Sequence, residues 1–271
     1  MANYPWEKSY PPGVKWELEV PNKTIHQIFD ESCAQYGSRP FTDFLDKVMS
    51  FQEYKDASDK AAAGFQKLGV KPGVNVGLYL PNTPHYLIAF FGVLKAGGKV
   101  VNYSPLDAAR ELEFKIGDSE TDILVTLDVA ALYPKMAAMR GKTRLKKLIV
   151  GSIADYLSWP KSWLYPIAKK KELSAWPRDD WHMSFKDLLV NDGKYTPHKP
   201  ANENLWDEVA LLQYTGGTTG LPKAAMLTHG CIMAAMSQGQ AWTTPYTTPG
   251  TEKVVCVLPL FHIYALSGIM L

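Results

Sequence analysis

Cysteine is scarce in this chain. Cys33, Cys231 and Cys256 are the three present among 271 residues, far apart and never as a Cys-x-x-Cys pair. An odd, scattered set excludes a disulfide framework and a cysteine zinc site, and points to reduced thiols in a cytoplasmic protein. No apolar run reaches the roughly 18 residues that a bilayer span needs. The amino terminus is polar and proline-rich, without the apolar core of a secretion signal. Neither sign of charge dominates: 29 basic residues against 27 acidic ones leave +2. Nucleic acid is therefore not expected as a partner. Internal repeats, low-complexity tracts and a Gly-x-Ser-x-Gly elbow are also missing, and the last absence excludes the common serine-hydrolase arrangement. The sequons at Asn22 and Asn102 are read as chance in a cytoplasmic setting.

What is present is a chain that is 46% hydrophobic, long enough to bury a substantial core. Its periodicity alternates between strand and helix. Segments 41–45 and 48–51 read as a hairpin turning at Asp46-Lys47. Ser50 and Glu53 form a capping box for a helix whose apolar face holds Tyr54, Ala57, Ala61, Phe65 and Leu68. A strand at 74–80 follows. Thr83-Pro84 then supplies an N-cap with proline at the first helical position, and Gly97-Gly98 a stop. Short apolar strands are expected at 100–102, 123–126, 148–150, 209–214, 224–228 and 254–258, with a helix from about residue 230. The fold class is α/β, with parallel sheets covered by helices. The expected division is a first α/β lobe over 1–150, an insertion or connector over 151–207, and a second lobe over 208–271.

The connector breaks the rhythm. Trp159, Trp163 and Ile167 recur at helical spacing, and Lys169, Lys170 and Lys171 follow. Tryptophan and tyrosine beside lysine suit a water–lipid interface, so peripheral membrane contact through 156–171, on the inner surface, stands beside a surface insertion folding back on its own domain. Pro160 and Pro166 keep any helix there short.

The densest chemistry lies at 214–229, Tyr-Thr-Gly-Gly-Thr-Thr-Gly-Leu-Pro-Lys-Ala-Ala-Met-Leu-Thr-His. Gly216, Gly217 and Gly220 let successive N–H groups converge on one oxyanion. Thr215, Thr218 and Thr219 add hydroxyl donors, and Lys223 adds a mobile point charge. The set reads as a polyphosphate cradle. It is not a Walker loop, because Gly-Leu-Pro-Lys stands where Gly-Lys-Ser/Thr is required.

This segment resembles the signature of the adenylate-forming superfamily of acyl-CoA synthetases, luciferases and adenylation domains, Tyr-Thr-Ser/Gly-Gly-Thr-Thr-Gly-x-Pro-Lys-Gly. Its Thr-Gly-Gly-Thr-Thr-Gly spelling is most similar to bacterial long-chain fatty-acid–CoA ligases. One departure is Ala224, where the family usually has glycine; it matters if that position needs a positive φ. Four further strings appear in the family's order: Pro-Trp-Glu-Lys-Ser-Tyr-Pro-Pro-Gly-Val at 5–14; Leu-Pro-Asn-Thr-Pro at 80–84 with Gly-Val-Leu-Lys-Ala-Gly-Gly at 92–98; Ser104-Pro105-Leu106 with Glu111-Leu112; and Pro-Leu-Phe-His-Ile-Tyr-Ala-Leu at 259–266.

The resemblance implies the incomplete amino-terminal portion of an acyl-CoA synthetase large domain. Residues 267–271 stop in mid-element, where natural domains seldom end. It implies a two-step ligation that uses ATP and Mg2+, with a fatty acid and coenzyme A as substrates. Thr215, Gly216, Gly217, Thr218, Thr219, Gly220 and Lys223 would bind the phosphates. Lys223 and His262 would be the catalytic residues, the lysine neutralising departing pyrophosphate and His262 orienting the carboxylate. Thr218 matches the family's metal-binding threonine; the partner glutamate would lie past residue 271. His229 is expected to be structural, capping the helix after it, and Asn82 and Ser104-Pro105 to be structural turns. A medium-chain or aromatic acid ligase, or a non-catalytic phosphate-binding fragment, remain the competing readings.

Overall fold

Seven of the chain's strands assemble into one sheet in the computed structural model, which describes residues 4–200, 204–215 and 221–270. The first two strands, β1 (Pro40–Phe44) and β2 (Lys47–Ser50), form a separate antiparallel hairpin. Its tight turn is Leu45-Asp46, both with positive φ (52° and 69°). That is one residue before the turn expected from sequence. A two-residue hairpin turn needs left-handed backbone at both positions, and strand register selects which residues accept it.

The remaining strands are β3 (Asn75–Leu78), β4 (Lys99–Asn102), β5 (Thr121–Leu127), β6 (Lys147–Gly151), β7 (His182–Ser184), β8 (Val209–Thr215) and β9 (Lys223–Thr228). Their order is β7-β6-β5-β3-β4-β8-β9. Every pair is parallel except β8–β9. Strand β7 comes from the 151–207 stretch and closes one edge. The strand expected at 254–258 is not formed. Val254, Val255 and Val257 are 67%, 80% and 77% exposed and lie in irregular backbone. An apolar run becomes a strand only when a neighbouring edge pairs with it, and no described strand does.

The helices are α1 (Ile25–Tyr36), α2 (Phe51–Lys67), α3 (Pro84–Lys95), α4 (Ala109–Asp118), α5 (Tyr133–Ala137), α6 (Lys161–Ala168), α7 (Phe185–Leu188) and α8 (His229–Thr243). Among the described residues no helix is long and apolar enough to cross a membrane. The Ser50–Glu53 capping box is present at the start of α2, with both reciprocal bonds made. Helix α3 is buried along its whole length, between the sheet and the α1–α2 pair. Gly92 permits this: a Cβ there would stand 2.6 Å from that of Ala61 on α2. Lys95, wholly buried at the end of α3, bonds Asp30 of α1 at 2.6 Å and Asp59 of α2 at 2.7 Å. Three helices thus meet at one compensated charge.

Candidate functional site

The sheet register places three residues side by side at the carboxyl ends of adjacent strands: Leu78 on β3, Asn102 on β4 and Gln213 on β8. In parallel α/β sheets this edge is where ligands are received. Two of the three are polar, and they are spent on the chain itself. Asn102 Nδ2 donates to Gln213 Oε1 at 3.1 Å, and Gln213 Nε2 donates to the Phe261 carbonyl at 3.0 Å. The Tyr86 hydroxyl lies 2.9 Å from both Asn102 Oδ1 and the Leu260 carbonyl. Asn82 completes the clamp. Its Oδ1 accepts from Leu260 N–H at 2.8 Å, and its Nδ2 donates to the carbonyls of Leu258 at 2.8 Å and Cys256 at 3.1 Å. The 259–266 motif is therefore bolted across the ends of β3, β4 and β8, with Leu260 and Ala265 sunk into the core.

His262 follows directly. Its N–H closes a turn onto the Pro259 carbonyl at 2.9 Å, while the residue itself is exposed at the start of the short helix Ile263–Ala265. The imidazole is presented to solvent at the sheet edge and is not a core histidine.

Two residues along β8 from Gln213, on the same face, is Thr215, also exposed. It stands opposite Lys223 in the β8–β9 register, and its hydroxyl reaches the Lys223 carbonyl at 3.4 Å. Gly216, Gly217, Thr218, Thr219 and Gly220 lie outside the described residues. What is described is their footing. Tyr214 is buried on the opposite side, its hydroxyl donating to Asp118 Oδ2 at 2.6 Å. Burial, with the Asp118 carboxylate beside it, pushes that phenol well above its ordinary pKa, so it stays protonated as a donor. Lys223 is exposed and makes no ion pair among the described residues. The described arrangement is a two-stranded antiparallel stem that carries an exposed lysine at its end, without an ion pair among the described residues.

Ala224 pairs with Tyr214 inside β9 and is not among the residues with positive φ. A strand residue tolerates a methyl group, so the departure from glycine carries no backbone strain. His229 is structural, but the cap on α8 is Thr228, whose hydroxyl accepts from Cys231 N–H at 3.1 Å. His229 instead turns its Nδ1 to accept the first N–H of α1, from Ile25, at 3.2 Å. It caps a helix some two hundred positions away, which no local signal reveals. Asn82 does more than turn the chain; Ser104 does turn it, its hydroxyl accepting from Leu106 N–H at 3.1 Å. A polar side chain ending each apolar strand, Asn102 and Gln213, was the signal available for the clamp.

No group of three His, Cys, Asp or Glu side chains suited to a metal occurs among the described residues. A cavity of about 710 Å³, beside Arg110 and Arg144, meets this group of residues only through Asp118, and one of about 310 Å³, beside Leu68 and Lys146, meets neither the clamp nor the β8–β9 stem.

The profile of a family described as AMP-binding enzyme matches residues 29–271. A long-chain-fatty-acid–CoA ligase of Bacillus subtilis is 34% identical over all of this chain and 48% of its own length. One of Escherichia coli O157:H7 is 35% identical over 97% of this chain and 47% of its own. The chain thus spans about half the length of these relatives. A solved structure of a long-chain-fatty-acid–CoA ligase from Archaeoglobus fulgidus superposes with a TM-score of 0.72 at 24% identity, covering 96% of this chain and 47% of that one. At that identity the likeness is one of fold.

Proposed function

The chain belongs to the AMP-binding enzyme family, and on that premise we propose that the whole protein is a long-chain fatty-acid–CoA ligase of which these residues form the amino-terminal part. A fatty carboxylate oxygen attacks the α-phosphorus of ATP, and the bond to pyrophosphate breaks. The thiolate of coenzyme A then attacks the acyl carbon and AMP leaves. Two anions must meet in the first step, so catalysis is positioning and charge neutralisation. Lys223 takes the second task, its ammonium meeting the charge that builds on pyrophosphate. Thr215, Thr218 and Thr219, with the N–H groups of Gly216, Gly217 and Gly220, would cradle the β- and γ-phosphates. His262 would hold the carboxylate on its line of attack.

The observation that carries this reading is Lys223, without an ion pair among the described residues, at the end of the β8–β9 stem on the sheet edge where the clamp presents His262. Magnesium, when bound, supplies further neutralisation at the phosphates. Thr218 is the residue that would meet it, and the described residues offer no carboxylate cluster to complete a site. Two relatives named for long-chain acids, alike at 34% and 35% over nearly the whole chain, support the acyl class over a medium-chain or aromatic acid. The test is acyl-CoA formation by the whole protein over acids of increasing length, with benzoate and acetate as controls. Highest kcat/KM on long-chain acids is expected; preference for either control contradicts the assignment.

A further inference from the structure

Helix α6 is a well-formed helix that buries none of its residues. Eight residues make it about 12 Å long, and it rests on the turn Ile153–Tyr156. Ser162 and Tyr165 face the protein and are half-buried. The outward face holds Trp163 (67% exposed), Leu164 (45%) and Ile167 (63%), and Trp159, just before the helix, is 84% exposed. At the amino-terminal end Lys161 forms an ion pair with Asp46, which brings the hairpin tip, with Leu45 55% exposed, next to that end of the helix. At the carboxyl-terminal end stand Lys169, Lys170 and Lys171, all exposed. Lys169 pairs with Glu172 at 2.7 Å, and Lys170 and Lys171 make no ion pair among the described residues.

A soluble protein gains nothing by holding two tryptophans, a leucine and an isoleucine in water on one short helix. The charge pattern identifies the occupant. Apolar and indole side chains project outward, and at the carboxyl-terminal end Lys170 and Lys171 stand exposed with no ion pair among the described residues. That is the layout of an element lying in the plane of a membrane surface, with rings at the headgroup level and ammonium groups reaching lipid phosphates. We propose that α6 and Trp159, with the Leu45 tip beside them, dock this protein on an anionic lipid bilayer surface. This docking is independent of the ligase reading.

Cosedimentation of the 271-residue chain with large unilamellar vesicles tests it. Binding to phosphatidylcholine vesicles containing phosphatidylglycerol is expected, reduced by salt and weaker on phosphatidylcholine alone. Trp163→Ser with Ile167→Ser should weaken partitioning roughly tenfold or more through lost apolar burial. Lys170→Glu with Lys171→Glu should weaken it similarly on the anionic vesicles. Because α6 buries nothing, both variants should keep the wild-type Tm, which separates loss of docking from loss of fold. No vesicle binding by the wild type, or undiminished binding by both variants, would overturn the proposal. So would a dimer in sedimentation equilibrium that Trp163→Ser dissociates, which would make a second copy the occupant of this face.

Discussion

Asn82 spends one amide on three backbone groups of the 256–260 segment, each within 3.1 Å. Asn82→Ala removes those bonds and leaves the Leu260 N–H, in a buried residue, unpaired. A loss of about 1–3 kcal/mol in urea unfolding is expected, together with a lower adenylation rate in the whole enzyme as His262 loses its fixed position. Unchanged stability would show that Tyr86 and Gln213 hold the segment unaided. The same residue illustrates how far local reading reaches. Leu-Pro-Asn-Thr-Pro announces a turn, and a turn is there, but the side chain's partners lie more than 170 positions on. Lys223 differs in that its described strand partner, Thr215, is only eight positions away, within reach of a local reading. The role given to the five residues Gly216 to Gly220 comes from their sequence.

At the scale of elements, the hairpin β8–β9 and the contact between α1 and α8 each carry a prediction. Ala224→Gly, which restores the family's usual residue, should destabilise by roughly 0.5–1 kcal/mol, since glycine in a strand loses more freedom on folding. It should bring no gain in ATP affinity; a gain would mean that the position adopts positive φ in the bound state. Where α1 meets α8, burial lowers the pKa of His26 to about 3 and of His229 to about 4; His229, Lys95 and His198 add smaller repulsive effects at His26, and His198 does so at His229. Both imidazoles are therefore neutral when folded, and His229 must be, because its Nδ1 accepts the Ile25 N–H. Unfolding lets them bind protons at their ordinary value of 6.5. Stability is full above pH 6.5 and falls as pH drops toward 4, each histidine losing about 1.4 kcal/mol per pH unit. Urea unfolding at pH 7 and pH 5 should show His26→Leu losing about 2 kcal/mol less than wild type; equal losses would contradict the assignment. Capping boxes, proline at N1 and glycine stops made α2 and α3 readable, and Thr24-x-x-Gln27 would have marked α1 in the same way. Strand β7, the direction of β9 and the irregular 254–258 segment were not readable, because each is decided by whether a distant edge offers a ladder.

For the whole molecule, the sheet gathers the clamp, the exposed His262 and the exposed Lys223 on one edge, while the chain covers about half the length of its relatives. The described part of that edge is open, so phosphate contacts on it are screened by water. On the proposed reading, adenylation would belong to the whole protein, with Lys223 its charge-bearing contribution from these residues. ATP–pyrophosphate exchange dependent on a long-chain fatty acid reports the first half-reaction alone. The whole protein is predicted to show it, Lys223→Ala to lower it by more than about tenfold through loss of one charge-stabilising group, and residues 1–271 by themselves to show none. Fatty-acid-dependent exchange by the 271-residue chain, or full exchange by Lys223→Ala, would contradict this account.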